Sequence, residues 1–194
     1  MSPTRIVMGA ALALSAALAL AYGYMAHASI SLGVASALTV PILKASGVAV
    51  LAALALTRQR FMLALALGFG ALGDFLLALH DQTAFLAGAG AFMIGHLFYI
   101  ALFTRAGRGV VASLKHPSRA IGMAVIALSA IALMLILTPR ASPMFIPLSV
   151  YTAVLTLMVM SALTLPAKNA LAMLGAALFF ISYGFVAAGQ FHPL

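Results

Sequence analysis

Asp74 stands in the stretch ALGDFLLALHD, residues 71–81, and Asp81 at the end of that stretch is the only other acidic residue in 194. Long apolar runs flank Asp74 on both sides. In mid-membrane a carboxylate costs at least about 2.5–3.5 kcal/mol on insertion scales, so it persists where it faces a bundle interior, has a partner or does chemistry. A buried hydrogen bond that locks helices together is the structural reading. A proton-handling or substrate-binding carboxylate is the functional one, and it is preferred here. Asp81 falls in a turn and reads as a solvated residue.

Other polar side chains within apolar runs supply the rest of a candidate site. Lys44 is the natural counter-charge, because it lies too deep for its ammonium to snorkel to the interface. Phe85, Gly88, Phe92, His96 and Tyr99 recur at three or four residues and share one helix face. Gly70, Gly73 and Asp74 lie on one side of the preceding helix. A tight turn joins these two helices, so His96 can approach the Asp74 face. Counted from the helix ends on one side, Lys44, Asp74, Tyr151, Ser182 and Tyr183 lie about 12 to 14 residues in, roughly 20 Å. His96 is about nine residues in and Tyr99 about six by the same count. The expectation is a polar layer, capable of acid–base chemistry, to which several helices contribute.

The elements that must carry this layer are membrane helices. Hydrophobic residues make up 65% of the chain, charged residues 6%, and the mean hydropathy is +1.22. A water-facing surface needs about a quarter of the residues charged, so the chain reads as an integral membrane protein. Apolar runs between polar breaks predict an all-α, polytopic transmembrane bundle of about seven helices: 6–26, 30–56, 61–79, 83–104, 119–138, 144–165 and 169–189. Pro41 falls inside the second run, which is expected to tilt or kink there. The breaks TRQR, HDQT, TPRASP and LPAKN are short, so sequential helices should pack antiparallel. No linker or composition shift divides the chain, which reads as a single transmembrane domain over 1–194.

Charge orients the bundle. Arg5, Arg58, Arg60, Arg105, Arg108, Lys115, Arg119 and Lys168 fall on the N-terminal side and Arg140 alone on the other. That asymmetry predicts a cytoplasmic N-terminus, a cell-membrane location and a main cytoplasmic loop over 105–119. Basic residues spread in this way do not form a nucleic-acid face, so no nucleic-acid partner is expected. The start of the chain also resembles a signal peptide, with Ala26-His27-Ala28 placed like a cleavage site. Its apolar core is long for that role, and a retained first helix is favoured.

Several motifs carry no chemistry. GFGALG, residues 68–73, matches a dinucleotide fingerprint in letters but lacks the strand and the downstream acid; its glycines read as a close helix approach. One His and one Asp fall short of a metal site, and no cofactor is implied. The chain has no cysteine and no G-x-S-x-G nucleophile elbow.

The pattern F-x-x-G-x-x-x-F-x-x-x-H-x-x-Y, shortly after Gly73-Asp74, resembles the YhhN-type lysoplasmalogenase family of polytopic membrane proteins. PILKAS with Lys44, LGDFLLAL, Tyr151 and GAALFFIS with Ser182 add to the resemblance, which covers most of the chain from about residue 40. It implies hydrolysis of the vinyl-ether bond of a lysoplasmalogen in the bilayer, giving a fatty aldehyde and a glycerophospho head group. Asp74 would be the acid, with Lys44 and His96 as further catalytic residues. Phe92, Tyr99, Tyr151, Ser182 and Tyr183 would line the substrate site. Many relatives carry Ser-Asp where this chain has Ser182-Tyr183, and eight helices where seven are counted here. The alternative reading is a non-catalytic lipid or small-molecule binding or transport protein using the same Asp74/Lys44 pocket. Oligomeric state is left open.

Overall fold

The computed structural model describes residues 3–32, 38–79, 81–137 and 145–191. Among them are eight α-helices: α1 (Pro3–Leu32), α2 (Thr39–Thr57), α3 (Phe61–Leu77), α4 (Gln82–Ala106), α5 (Val110–Leu114), α6 (Pro117–Leu137), α7 (Phe145–Leu163) and α8 (Ala170–Phe191). Six are long and apolar enough to cross a membrane, namely α1, α2, α4, α6, α7 and α8. The α3 helix has 17 residues, at the short end of what spans a hydrocarbon core. The expected all-α polytopic membrane bundle is therefore the fold. His80, Arg140 and the TPRASP break lie outside the described residues.

Four features differ from those read in the sequence. The second apolar run does not begin at residue 30; α1 continues to Leu32 and α2 starts at Thr39. Pro41 then falls in the first turn of α2, where backbone N–H groups have no intrahelical acceptor, so it introduces no kink. Within the expected 105–119 loop lies the short helix α5. Asp81, read as merely solvated, accepts a hydrogen bond from the Ala84 backbone N–H at 2.9 Å. It is the N-cap of α4, three residues before its partner.

The chain forms two compact units, residues 1–98 and 99–194, with the boundary inside α4. In the first, the α2–α3 turn closes in a Schellman arrangement. Gln59 takes a φ of 54°, its N–H reaches the Leu56 carbonyl at 2.9 Å, and Arg60 N–H reaches the Ala55 carbonyl at 3.0 Å. These bonds use the carbonyls that the end of a helix leaves open. Small residues then let helices meet closely. A Cβ on Gly95 would lie 3.0 Å from the Ala66 carbonyl oxygen, and one on Gly73 would lie 2.6 Å from the Phe92 ring. Of the GFGALG glycines, Gly73 therefore serves the close approach, a Cβ on Gly70 would make only ordinary contacts, and Gly68 faces open space.

In the second unit, Leu155, Val159 and Leu165 are buried at its centre. Arg119, counted in the sequence only as a topology charge, has a structural role at one end. Its Nη1 donates to the Leu163 carbonyl at 2.9 Å and its Nη2 to the Leu165 carbonyl at 2.8 Å. Arg108 N–H donates to the Thr164 carbonyl between them, at 3.0 Å. The planar guanidinium fork thus satisfies two orphan carbonyls at the end of α7 and complements the helix dipole. Arg119→Met leaves both without a partner and should destabilise the protein by about 1–3 kcal/mol. The check is a lower melting midpoint of the detergent-solubilised protein, which Arg119→Lys restores only in part.

Candidate functional site

Lys44 and Asp74 are equally far along the chain from Gln59, the turn residue between α2 and α3. An antiparallel helix pair with that turn brings them to one height, and the structure shows an ion pair of 3.7 Å between Lys44 Nζ and Asp74 Oδ1. This is longer than an ordinary charge-assisted hydrogen bond. Each side chain keeps about a quarter of its surface accessible, 24% and 23%. Both groups can therefore turn to a third partner, which a fully buried pair could not do. In low-dielectric surroundings their attraction greatly exceeds its value in water.

Gly73 sets the other wall. Its missing side chain makes room for the Phe92 ring of α4, and the His96 ring stacks with Phe92 at a centroid distance of 6.3 Å. Phe92 and His96 are both buried, the histidine with only 3% of its surface exposed. The sequence-predicted residues Lys44, Asp74, Phe92 and His96 thus belong to the same unit, with Phe92 resting on the glycine beside the carboxylate and His96 stacked on Phe92.

Two contributors from α1 were not read in the sequence. The Tyr22 ring centroid lies 5.9 Å from Lys44 Nζ. One turn further along α2, the Ser15 hydroxyl donates to the Gly47 carbonyl at 2.8 Å. Tyr22 belongs to an apolar run whose residues show no polar periodicity, so only the register of α1 on α2 selects it.

The second unit holds a separate polar cluster. Tyr151 and Tyr183 pack with ring centroids 5.0 Å apart, and the hydroxyls of Thr152 and Tyr183 share a 2.6 Å hydrogen bond. Thr152 was not anticipated, though it follows Tyr151 directly and falls at helical spacing with Ser149 and Thr156. Those three hydroxyl residues line a cavity of about 630 Å³ with Phe145, Met134 and Leu157. Its predominantly apolar wall suits hydrocarbon. Ser182 lies on the exposed face of α8, away from the hydrogen bond that its neighbour Tyr183 makes. Tyr99 stacks on Phe103, one turn along α4, at 5.6 Å.

This arrangement sets one acidic and one basic side chain side by side in an apolar helix pair, the kind of pair that acid–base chemistry uses. Among the described residues no three His, Cys, Asp or Glu side chains gather as a metal site would require.

Comparison with known proteins gives a family and names no reaction. No curated protein and no solved structure matches the chain. The YhhN family matches over residues 39–193, a segment that carries Lys44, Asp74, His96, Tyr151 and Tyr183 and most of the membrane helices. This chain belongs to the YhhN family.

Proposed function

We propose that the protein is a membrane-embedded hydrolase that cleaves the vinyl-ether bond of a lysoplasmalogen-like lipid. The Lys44–Asp74 pair carries this reading: two opposite charges in a helix pair of the membrane, 3.7 Å apart and still partly accessible. Family membership supports it.

The reaction balances on that pair. Asp74, holding the mobile proton, protonates the vinyl carbon remote from the ether oxygen, and the adjacent carbon becomes an oxocarbenium centre. Water adds there and gives up a proton to the Asp74 carboxylate. The hemiacetal then collapses to a fatty aldehyde and the glycerophospho alcohol, with the starting protonation restored. Acid–base assistance of this kind is worth about 10²–10⁴-fold. Lys44 supplies the mobile proton to Asp74 and, as a neutral amine between the two steps, donates a hydrogen bond to the carboxylate, and His96 and Phe92 pack in the same unit. Tyr99, Tyr151 and Tyr183, in the second unit, are the substrate contacts that the family resemblance suggests, and the outward face of Ser182 does not favour it as one. The chain works as one transmembrane domain of the cell membrane with its N-terminus in the cytoplasm, and the head group faces the basic side.

The same pair suits a second reading, a non-catalytic lipid or small-molecule binding or transport protein in which the ion pair opens and closes with proton uptake. Aldehyde release from a synthetic lysoplasmalogen by the purified, folded protein in detergent is the expected result. Absence of aldehyde together with uptake into proteoliposomes would establish the transporter instead.

A further inference from the structure

The α1 helix precedes the segment that matches the family, yet it packs directly against the candidate site. Gly47 is the reason it can. A Cβ there would lie 3.1 Å from the Ser15 backbone oxygen, so a larger residue would push the helices apart. The Ser15 hydroxyl bonds the Gly47 carbonyl across the same seam. With Ser15 opposite Gly47 and Tyr22 opposite Lys44, the two helices run antiparallel. In an α-helix, side chains lean toward their own N-terminus. Along α2 that tilts Lys44 toward the level of Tyr22, and along α1 it tilts Tyr22 toward the level of Lys44. The two side chains converge, with the ammonium 5.9 Å from the ring centroid, within the range of a cation–π contact. Lys44 is therefore held between a carboxylate on α3 and an aromatic ring on α1.

We propose that Tyr22 is a positioning residue of the site: its ring covers the Lys44 ammonium and holds it beside Asp74, so the first helix completes the centre that the family-matched segment begins. The functional consequence rests on the hydrolase reading, whereas the geometry does not. Phenylalanine at position 22 keeps the ring face, and leucine removes it at similar bulk. The proposal therefore separates the two variants.

The test labels the purified full chain with a small amine-reactive acylating reagent and reads Lys44 modification by peptide mass spectrometry. Tyr22→Leu should raise the Lys44 labelling rate about two- to fivefold, as expected for loss of one cation–π contact, while Tyr22→Phe stays at the parental rate. Gly47→Val, which wedges α1 away without touching Tyr22, should raise it as well, so the idea does not depend on one variant folding. Equal labelling of the leucine and phenylalanine variants would overturn it. So would an intact mass showing that the mature protein lacks the residues of α1. Where the parent protein releases aldehyde, Tyr22→Leu should lower kcat with KM little changed, and Tyr22→Phe should restore it. If the parent releases none, the hydrolase reading fails while the labelling contrast still decides the role of Tyr22.

Discussion

Asp74→Asn should lower aldehyde release by about 100-fold or more. Asparagine keeps the size and most of the hydrogen-bonding capacity of the side chain, but it has no acidic proton to give to the vinyl carbon and cannot take one from water. The substitution also leaves the Lys44 ammonium without its counter-charge, and an unpaired charge in the membrane is destabilising by itself. The double variant Asp74→Asn/Lys44→Met separates the two effects. It removes the orphaned charge, so its melting midpoint should recover toward that of the parent while turnover stays lost. If Asp74→Asn retains full turnover, Asp74 is not the acid. If the double variant regains turnover, the loss in the single variant came from misfolding and not from chemistry.

A large structural effect should come from Gly73→Ala. The new methyl would lie 2.6–2.8 Å from three atoms of the Phe92 ring, closer than side-chain carbons approach. Phe92 is buried and stacks with His96, so the ring can yield only by disturbing its neighbours. Overpacking of this kind costs about 1–3 kcal/mol. Because Gly73 adjoins Asp74, the displacement should also disturb the ion pair and reduce activity beyond the loss of folded protein. Phe92→Leu should compensate: alone it leaves a small void, but with Gly73→Ala the added and removed volumes partly cancel. The melting midpoint of the double variant should exceed that expected from adding the two single effects, since residues in contact are not additive. Simple additivity would show that the ring does not rest on this glycine.

Much of the helical framework was legible because hydropathy and charge speak directly to a bilayer. The spans 61–79, 83–104, 119–138, 144–165 and 169–189 each fall within a few residues of a helix, their ends marked by basic, proline or Asp-containing breaks. The junction between α1 and α2 was not legible. Residues 28–40 carry no charge and their hydropathy scarcely falls, so nothing in the sequence marked where one helix stopped. The α5 helix was missed because five residues are too few to show a period. Asp81 was underestimated although its position just before an apolar run is the ordinary signature of an N-cap.

By itself the sequence determined that this is a multi-helix membrane protein, that Asp74 needs a partner, and that Lys44 stands at the same height. Two residues equally distant from a tight turn must be level in an antiparallel helix pair. What it could not determine is which way side chains face around each helix and which helix packs where. In a membrane nearly every face is apolar, so hydrophobic periodicity, the signal that orients helices in water, is almost silent. Only the tertiary structure set Phe92 on Gly73, turned Ser182 outward while Tyr183 met Thr152, made Arg119 a clamp on the end of α7, and brought Tyr22 over Lys44. Each of these choices follows from close packing at small residues or from satisfying a particular polar atom, and neither is visible until the helices are assembled.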